Sequence, residues 1–251
     1  NSFISVSMIG GDLCKVVVDN GKNLPKKDVL LSASVHGDEP AGVFALLKFL
    51  KEEVNNYLDD FRFFVYPCVN PGGFEKNTRN NLDDININRA FADPARSRES
   101  KIVQDSLVDG PKNYVVTVDM HEDDLDNLSA DELKEGLLEG DFPKSFYMYE
   151  ICEDKEKRLG RKIVEHLEKF DVKVCKKDFI YGDKNDGGVI SYPEGYLNTI
   201  YAQMTTFEGY LFKNYTKHAF TIETTGDLDL LEKRVWIQLE VLKFILGEYK
   251  K

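Results

Sequence analysis

Two histidines and a glutamate in this chain have the residue types and spacing of a catalytic metal site. His36 and Glu39 lie in the segment Ser34-Val35-His36-Gly37-Asp38-Glu39-Pro40, and His121 follows an apolar run that ends at Met120. Two imidazoles and a carboxylate are a full set of protein ligands for a catalytic zinc ion, and they leave a fourth position open for water. Both histidines follow strand-like stretches, and open α/β sheets bind their ligands at the carboxyl ends of strands. The sequence therefore predicts one zinc site at such an edge.

A further carboxylate, Glu223, ends the apolar stretch Phe220-Thr221-Ile222. A carboxylate at the end of an apolar strand is poorly solvated unless it has a partner or a function. A zinc hydrolase needs a group that takes the proton from metal-bound water, so Glu223 is predicted to be the general base. Membership of a buried ion pair is the alternative role for this residue.

Two arginines and an asparagine are candidates for binding a substrate. Arg79 lies in Asn77-Thr78-Arg79-Asn80, and Asn88 and Arg89 precede Ala90-Phe91. A guanidinium fork suits a carboxylate or an oxyanion. The alternative is that Asn88 and Arg89 only order the turn in which they lie.

Strand-like and helix-like segments alternate along the chain and must position these side chains. Strands are predicted at 29–35, 61–69, 114–120, 145–151, 172–175 and 220–223, and helices at 41–58, 97–108, 155–170 and 228–246. Strands separated by helices form a mostly parallel sheet that is covered on both faces, which predicts the α/β class. Residues 1–251 are interpreted as a single domain, with irregular segments at 122–141 and 181–214 forming the rim of the site.

Composition excludes several classes of function. A net charge of −11 argues against a nucleic-acid partner, and no stretch approaches the ~20 apolar residues of a membrane span. The four cysteines are far apart and form no CxxC motif, which is typical of reduced thiols. No signal peptide is visible at the start of the sequence, so a cytoplasmic location is expected. The sequence gives no indication of the oligomeric state.

The order of these motifs resembles that of the zinc carboxypeptidases of the carboxypeptidase A type. The shared landmarks are HxxE at 36–39, NPxG ahead of TR at 78–79, NxNRxF at 86–91, DxH at 119–121 and FTxE at 220–223. The resemblance implies a three-layer αβα fold whose central sheet is mixed and mostly parallel. It also implies that His36, Glu39 and His121 bind one zinc ion and that Glu223 is the general base.

The same resemblance implies roles for the residues that contact the substrate. Arg79 would polarise the scissile carbonyl, and Asn88 and Arg89 would bind the substrate's terminal carboxylate. Tyr201, in Thr199-Ile200-Tyr201, has the sequence setting of the family's mobile tyrosine. One departure is Asn86, because the family usually has an aspartate at this position to orient the first histidine. An amide oxygen can still accept the imidazole N–H, although it raises ligand basicity less, and Asp84 is an alternative partner.

Glu208 gives a prediction about specificity. It lies 15 residues before Glu223, on the stretch that in similar carboxypeptidases lines the pocket for the substrate's side chain. A carboxylate in a partly desolvated pocket selects for a cation, so substrates ending in Lys or Arg are expected. The alternative for Glu208 is an exposed turn residue.

The leading hypothesis is a zinc metallopeptidase, a carboxypeptidase that hydrolyses a C-terminal peptide bond through metal-activated water. Its substrate would be a peptide or N-acyl amino acid with a free carboxylate. One alternative is an N-acyl amino acid deacylase of the succinylglutamate desuccinylase and aspartoacylase group, which shares HxxE, the NR-F turn and the later histidine. Others are an amidase that trims cell-wall peptides and a catalytically inactive peptide- or metal-binding module on the same fold. The presence of both Glu223 and Arg79 argues against the inactive module.

Overall fold

The computed structural model describes residues 3–22, 25–123, 143, 145–192, 205–225 and 230–250. The strands of these ranges are β1 (Phe3–Ile9), β2 (Leu13–Asp19), β3 (Lys27–Ala33), β4 (Phe61–Tyr66), β5 (Val116–Asp123), β6 (Tyr147–Cys152), β7 (Phe179–Ile180), β8 (Asp183–Lys184), β9 (Val189–Tyr192) and β10 (His218–Thr225). The α-helices are α1 (Pro40–Lys48), α2 (Pro71–Lys76), α3 (Arg98–Val108), α4 (Gly160–Glu168), α5 (Phe207–Asn214) and α6 (Leu231–Lys250).

Eight of these strands form one mixed sheet in the order β1-β2-β4-β3-β5-β10-β6-β9. The pairs β3–β4, β3–β5, β5–β10 and β6–β9 are parallel. The pairs β1–β2, β2–β4 and β6–β10 are antiparallel. Strand β5 is buried from Val116 to Glu122 and β10 along its whole length, because helices cover both of their faces. The predicted α/β class, with a central mixed and mostly parallel sheet, is confirmed.

The two faces of the sheet differ in chemistry where the site lies. Side chains alternate along β5, so Val116, Val118 and Met120 join the apolar cluster that includes residues of α1, α4 and α6. The intervening Thr117, Asp119, His121 and Asp123 face the opposite side, where residues of α3 and α5 form a second cluster. The catalytic candidates are therefore on one face. None of the described helices combines the length and apolar character needed to cross a membrane.

Several elements differ from the prediction. The hairpin of β1 and β2 was not expected; β1 is an edge strand, almost entirely exposed, and its sequence carries little burial signal. The segment 181–214, predicted to be irregular, contains β8, β9 and α5 among its described residues. The strand predicted at 172–175 is wrong, since only an isolated bridge joins Val174 to Phe146. These short elements are stabilised by contacts distant in sequence, which a local pattern does not reveal.

Candidate metal centre and active site

The turn between β3 and α1 places His36 and Glu39 at the carboxyl edge of the sheet. Ser34 turns the chain after β3 with a φ of 52°, and Glu39 directly precedes the helix that Pro40 begins. A Cβ on Gly37 would lie 2.1 Å from the backbone carbonyl carbon of Gly73. Because real Cβ atoms do not approach so closely, glycine is required beside His36.

The predicted ligands lie together. His36, Glu39 and His121 each offer a ligand atom within 4.8 Å of the others, and all three side chains are buried. Nδ1 of His36 is 2.5 Å from Oε1 of Glu39, and Nδ1 of His121 is 2.8 Å from Oε2 of the same carboxylate. Two nitrogens and a carboxylate that converge from separate elements in a buried position fit a metal ion.

The remaining ring nitrogen of each histidine contacts a side-chain oxygen. Nε2 of His36 is 3.2 Å from Oδ1 of Asn86, and Nε2 of His121 is 2.9 Å from Oδ2 of Asp119. Such contacts fix the ring orientation and leave Nδ1 available to a metal. The alternative partner for His36, Asp84, is wrong: its carboxylate instead accepts a hydrogen bond from the side chain of Asn80.

The two imidazoles differ in their affinity for a proton. Burial and the nearby Arg79 guanidinium lower the pKa of His36 to about 4. Burial also disfavours the charged form of His121, but the carboxylates of Glu39 and Asp119 outweigh it and raise the His121 pKa well above its usual value. Burial likewise opposes ionisation of Glu39, yet both imidazoles hold its pKa well below the usual range. A metal ion would therefore compete with a proton mainly at His121.

Residues behind the sheet edge support this cluster. The backbone N–H of Glu122 donates to Oε2 of Glu39 at 3.0 Å, while the Glu122 carboxylate accepts from Ala41 N at 2.6 Å and from Arg234. The Gln238 side chain donates to the carbonyl of His121 at 2.9 Å. Helices α1 and α6 are thus joined to the end of β5, where the ligands lie.

Glu223 lies beside His121 on the neighbouring strand. The two residues are register partners in the parallel pair of β5 and β10, so their side chains share a face. Burial raises the pKa of Glu223 well above its usual range, and the nearby carboxylates of Glu39 and Asp123 add to the effect. Among the described residues no lysine or arginine forms an ion pair with Glu223. The carboxylate is therefore suited to accept a proton.

Arg79 and the segment after Asn86 extend the site. Nη1 of Arg79 lies 3.2 Å from Oε1 of Glu39. Asn86 Oδ1 also accepts from the backbone of Asn88 at 3.0 Å, which links the partner of His36 to the predicted carboxylate-binding pair. The Asn88 side-chain oxygen caps α5 by accepting from Phe207 N at 2.9 Å, and Arg89 is partly exposed. The remaining predicted residue, Tyr201, lies outside the described residues.

Glu208 is buried rather than exposed, with 1% of its surface accessible. Its Oε1 accepts from Thr117 Oγ1 at 2.9 Å and from Phe220 N at 3.1 Å, while Oε2 has no hydrogen-bond partner among the described residues. Burial raises its pKa well above the usual value, and the charge of Asp119 adds to the effect. The alternative of an exposed turn residue is therefore wrong. An incompletely satisfied carboxyl group lies close to the metal centre.

Asp123, Tyr147 and Tyr181 lie beside the site and were not among the predicted site residues. Asp123, two residues beyond His121, accepts from Tyr147 Oη at 2.8 Å and from Tyr181 Oη at 2.7 Å. Burial raises the Asp123 pKa to about 6, and the two phenols oppose that rise. Strand alternation could have placed Asp123 on the His121 face, but no local signal identified the tyrosines.

One family model matches part of the chain. Residues 25–126 match the succinylglutamate desuccinylase/aspartoacylase catalytic domain. The matched range includes His36, Glu39 and His121 and excludes Glu223. The match therefore covers less than half of the chain, and this part carries the candidate ligands.

A relative and several solved structures also resemble this chain, and the structures cover nearly all of it. Carboxypeptidase SOL1 of Arabidopsis thaliana is 33% identical over 69 residues, which are 24% of this chain and 14% of that protein. A candidate metallopeptidase from Shewanella amazonensis superposes with a TM-score of 0.74 at 20% identity, over 98% of this chain and 86% of that one. The chain has a metallocarboxypeptidase-like fold. This fold also aligns with a Pseudomonas aeruginosa metallo-carboxypeptidase, with a TM-score of 0.63, 17% identity and coverage of 98% and 64%. The predicted resemblance to metallocarboxypeptidases is confirmed.

Proposed function

We propose that this chain is a zinc-dependent metallocarboxypeptidase that hydrolyses the C-terminal amide bond of a substrate with a free carboxylate. The observation that carries the proposal is the convergence of His36, Glu39 and His121 beside Glu223. A buried donor set of two nitrogens and a carboxylate suits zinc, and the adjacent strand supplies a carboxylate whose environment favours proton uptake.

The residues around this centre have separate roles in amide hydrolysis. His36, Glu39 and His121 would hold the zinc, which supplies Lewis acidity and lowers the pKa of water. Glu223 accepts a proton from the attacking water and returns it to the leaving nitrogen. The Arg79 guanidinium lies within reach of the metal centre and stabilises negative charge on the scissile carbonyl oxygen.

Substrate positioning falls to the segment after Asn86 and to the predicted tyrosine. Asn88 keeps its side-chain nitrogen available because its oxygen caps α5. Arg89 presents a charged fork beside it, and the pair binds the terminal carboxylate. Tyr201 is proposed to close over the bound substrate, as the sequence resemblance implies.

Glu208 is proposed to select a cationic side chain at the substrate's C-terminus. Its Oε2 and the hydroxyl of Thr221 are both buried without a hydrogen-bond partner among the described residues. Thr221 is the register partner of Asp119 on the site face. An ammonium or guanidinium group would satisfy these atoms and keep Glu208 ionised. The Pseudomonas aeruginosa neighbour was solved with (2-guanidinoethylmercapto)succinic acid, a ligand that combines a guanidino group with carboxylates.

An N-acyl amino acid deacylase is the second candidate. The match of residues 25–126 to the succinylglutamate desuccinylase/aspartoacylase domain favours it, because that match includes the candidate ligands. The same metal site serves either reaction, since both hydrolyse an amide next to a free carboxylate. The two functions differ in what is bound on the acyl side.

A product assay separates the two candidates. The zinc-loaded protein is incubated with a set of dipeptides and tetrapeptides, their C-terminally amidated forms, and N-succinyl and N-acetyl amino acids, and the products are identified by mass spectrometry. Release of one C-terminal amino acid from the free peptides is expected, with little release from the amidated ones. Turnover of the N-acyl amino acids alone would replace the proposed function with the deacylase.

A further inference from the structure

Asp123, Tyr147 and Tyr181 form a polar cluster that the proposed reaction does not use. Both phenols donate to the Asp123 carboxylate, Tyr147 at 2.8 Å and Tyr181 at 2.7 Å. Asp123 shares a face with His121, and Tyr147 is the register partner of Glu223 on β6. The cluster therefore adjoins the metal ligands and the general base.

The position of Asp123 along β5 determines which part of a substrate it can meet. His121 lies between two acidic positions on the same face, Asp119 towards the start of the strand and Asp123 towards its end. Each is two residues away, or about 7 Å at the rise of a strand. Glu208 lies on the Asp119 side, where it accepts a hydrogen bond at 2.9 Å from Thr117, two residues before Asp119 on the same face. With Glu208 selecting the leaving residue, as proposed above, the acyl part of a substrate cleaved at the metal would extend towards Asp123.

The hairpin that carries Tyr181 brings it to Asp123 with an unfavourable backbone conformation at Tyr181. Tyr181 and Gly182 connect β7 to β8 with φ values of 50° and 83°. Glycine adopts such angles freely, whereas a tyrosine in the left-handed region is disfavoured. The hairpin is fastened to the sheet by Tyr192, whose hydroxyl donates to Asp183 at 2.7 Å. Tyr181 therefore contacts Asp123 although its backbone lies in the disfavoured left-handed region.

A buried hydroxyl beside Asp123 points to a ligand. Thr225 is the register partner of Asp123 in the parallel pair, so both side chains lie on the site face. Its side chain is fully buried, and its Oγ1 has no hydrogen-bond partner among the described residues. The carboxylate, two phenol oxygens and this hydroxyl are all able to accept hydrogen bonds. A small group with several N–H donors and a positive charge matches them.

We propose that Asp123, Tyr147, Tyr181 and Thr225 form a subsite for the ammonium group of the residue on the acyl side of the scissile bond. The inference rests on the proposed carboxypeptidase function and specifies its substrate class as dipeptides with a free amino terminus, since only in a dipeptide does the residue on the acyl side carry an ammonium group. The ammonium group would donate to Asp123 and to the hydroxyl oxygens around it. An acetylated amine has lost both the charge and two donors, so it leaves the carboxylate poorly paired.

Binding of the dipeptide Ala-Arg and of N-acetyl-Ala-Arg is the test, measured by calorimetry on the zinc-loaded Glu223→Gln protein so that no turnover interferes. The free dipeptide should bind about 10–100-fold more tightly, as expected for a hydrogen-bonded charge pair. Asp123→Asn should reduce that ratio to near one. Tyr181→Phe should reduce it partly, since the carboxylate remains. Asp186→Asn removes a carboxylate that is 78% exposed and serves as the matched charge control, with the ratio retained.

The outcomes distinguish this inference from the proposed function. The inference is overturned if the Glu223→Gln protein binds the two dipeptides with equal affinity or binds neither. This outcome does not depend on whether the Asp123→Asn protein folds. An unchanged ratio in a folded Asp123→Asn protein also overturns it. A preference for the free amine that Asp123→Asn removes supports it. If that preference is found while the wild-type protein releases no C-terminal residue, the subsite stands and the proposed function fails.

Discussion

Replacing Asn86 with aspartate tests whether the side chains behind the histidines set the metal affinity. Nε2 of His36 contacts the neutral amide oxygen of Asn86 at 3.2 Å, whereas Nε2 of His121 contacts the Asp119 carboxylate at 2.9 Å. An aspartate at 86 retains the oxygen that also accepts from Asn88 N, so the local turn should persist. Asn86→Asp therefore changes the charge of the acceptor with little change in geometry.

The expected gain follows from the difference between neutral and charged hydrogen bonds. A neutral bond contributes about 1 kcal/mol and a bond to a charged group about 1.5–3 kcal/mol. Asn86 is partly exposed, so the lower end applies and the difference is about 0.5 kcal/mol. Since 1.4 kcal/mol corresponds to a factor of ten, zinc should bind Asn86→Asp about twofold more tightly.

Competition with a chromophoric zinc chelator at constant pH and ionic strength gives these affinities. Asn77→Asp is the control, because Asn77 is exposed and has a φ of 53°, which aspartate tolerates. It adds the same charge without touching a histidine and should leave the affinity unchanged. Weaker or unchanged zinc binding in a folded Asn86→Asp protein would refute the reasoning.

Three further predictions concern protons, the second histidine and specificity. The raised pKa of His121 means that the metal-free protein carries a proton there at neutral pH, so zinc binding should release at least one proton and zinc affinity should rise with pH until that pKa is reached. Calorimetry in buffers of different ionisation enthalpy measures this proton release. The Glu223→Gln protein keeps the His121 proton, so an absence of proton release in that variant would contradict the prediction. Asp119→Asn should weaken zinc binding about 10–100-fold, as measured by chelator competition. An unchanged affinity would show that Asp119 does not contribute to zinc binding. Glu208→Gln should lower kcat/KM about 100-fold for peptides ending in Arg relative to peptides ending in Phe, because the charged partner is lost in a buried place; an unchanged ratio, or a wild-type preference for Phe, would reject the specificity proposal.

Local patterns in the sequence were sufficient for the parts of the fold that depend on burial. The run from Val115 to Met120 predicted the central strand that carries His121, and the apolar stretch before His36 predicted β3. Both strands are covered on each side, so their side chains must be apolar apart from the residues on the site face. The combination of HxxE with a later histidine then placed the three candidate ligands at one sheet edge, where the structure brings them together.

Residues whose role depends on contacts distant in sequence were not predictable. Tyr181 reaches Asp123 across 58 positions, and no periodicity connects them. Glu208 resembles a turn residue before glycine, yet α5 packs it against β5 and β10. Arg234, on the terminal helix, contacts Glu122 across 112 positions. In each case the role of the side chain depends on residues that become its neighbours only in the folded chain, and a local sequence pattern does not identify them.

The proposed function requires Glu223 to act as general base in amide hydrolysis at a metal held by His36, Glu39 and His121. The most direct test compares wild-type and Glu223→Gln proteins, each shown by elemental analysis to hold one zinc per chain, in the release of the C-terminal residue from a free peptide. Glu223→Gln is expected to retain the zinc and to lose ~10²–10⁴-fold in kcat, the range that a positioned general base contributes. Wild-type-like turnover by a zinc-loaded Glu223→Gln protein would contradict it, and so would a zinc-loaded wild-type protein that releases no C-terminal residue from any free peptide.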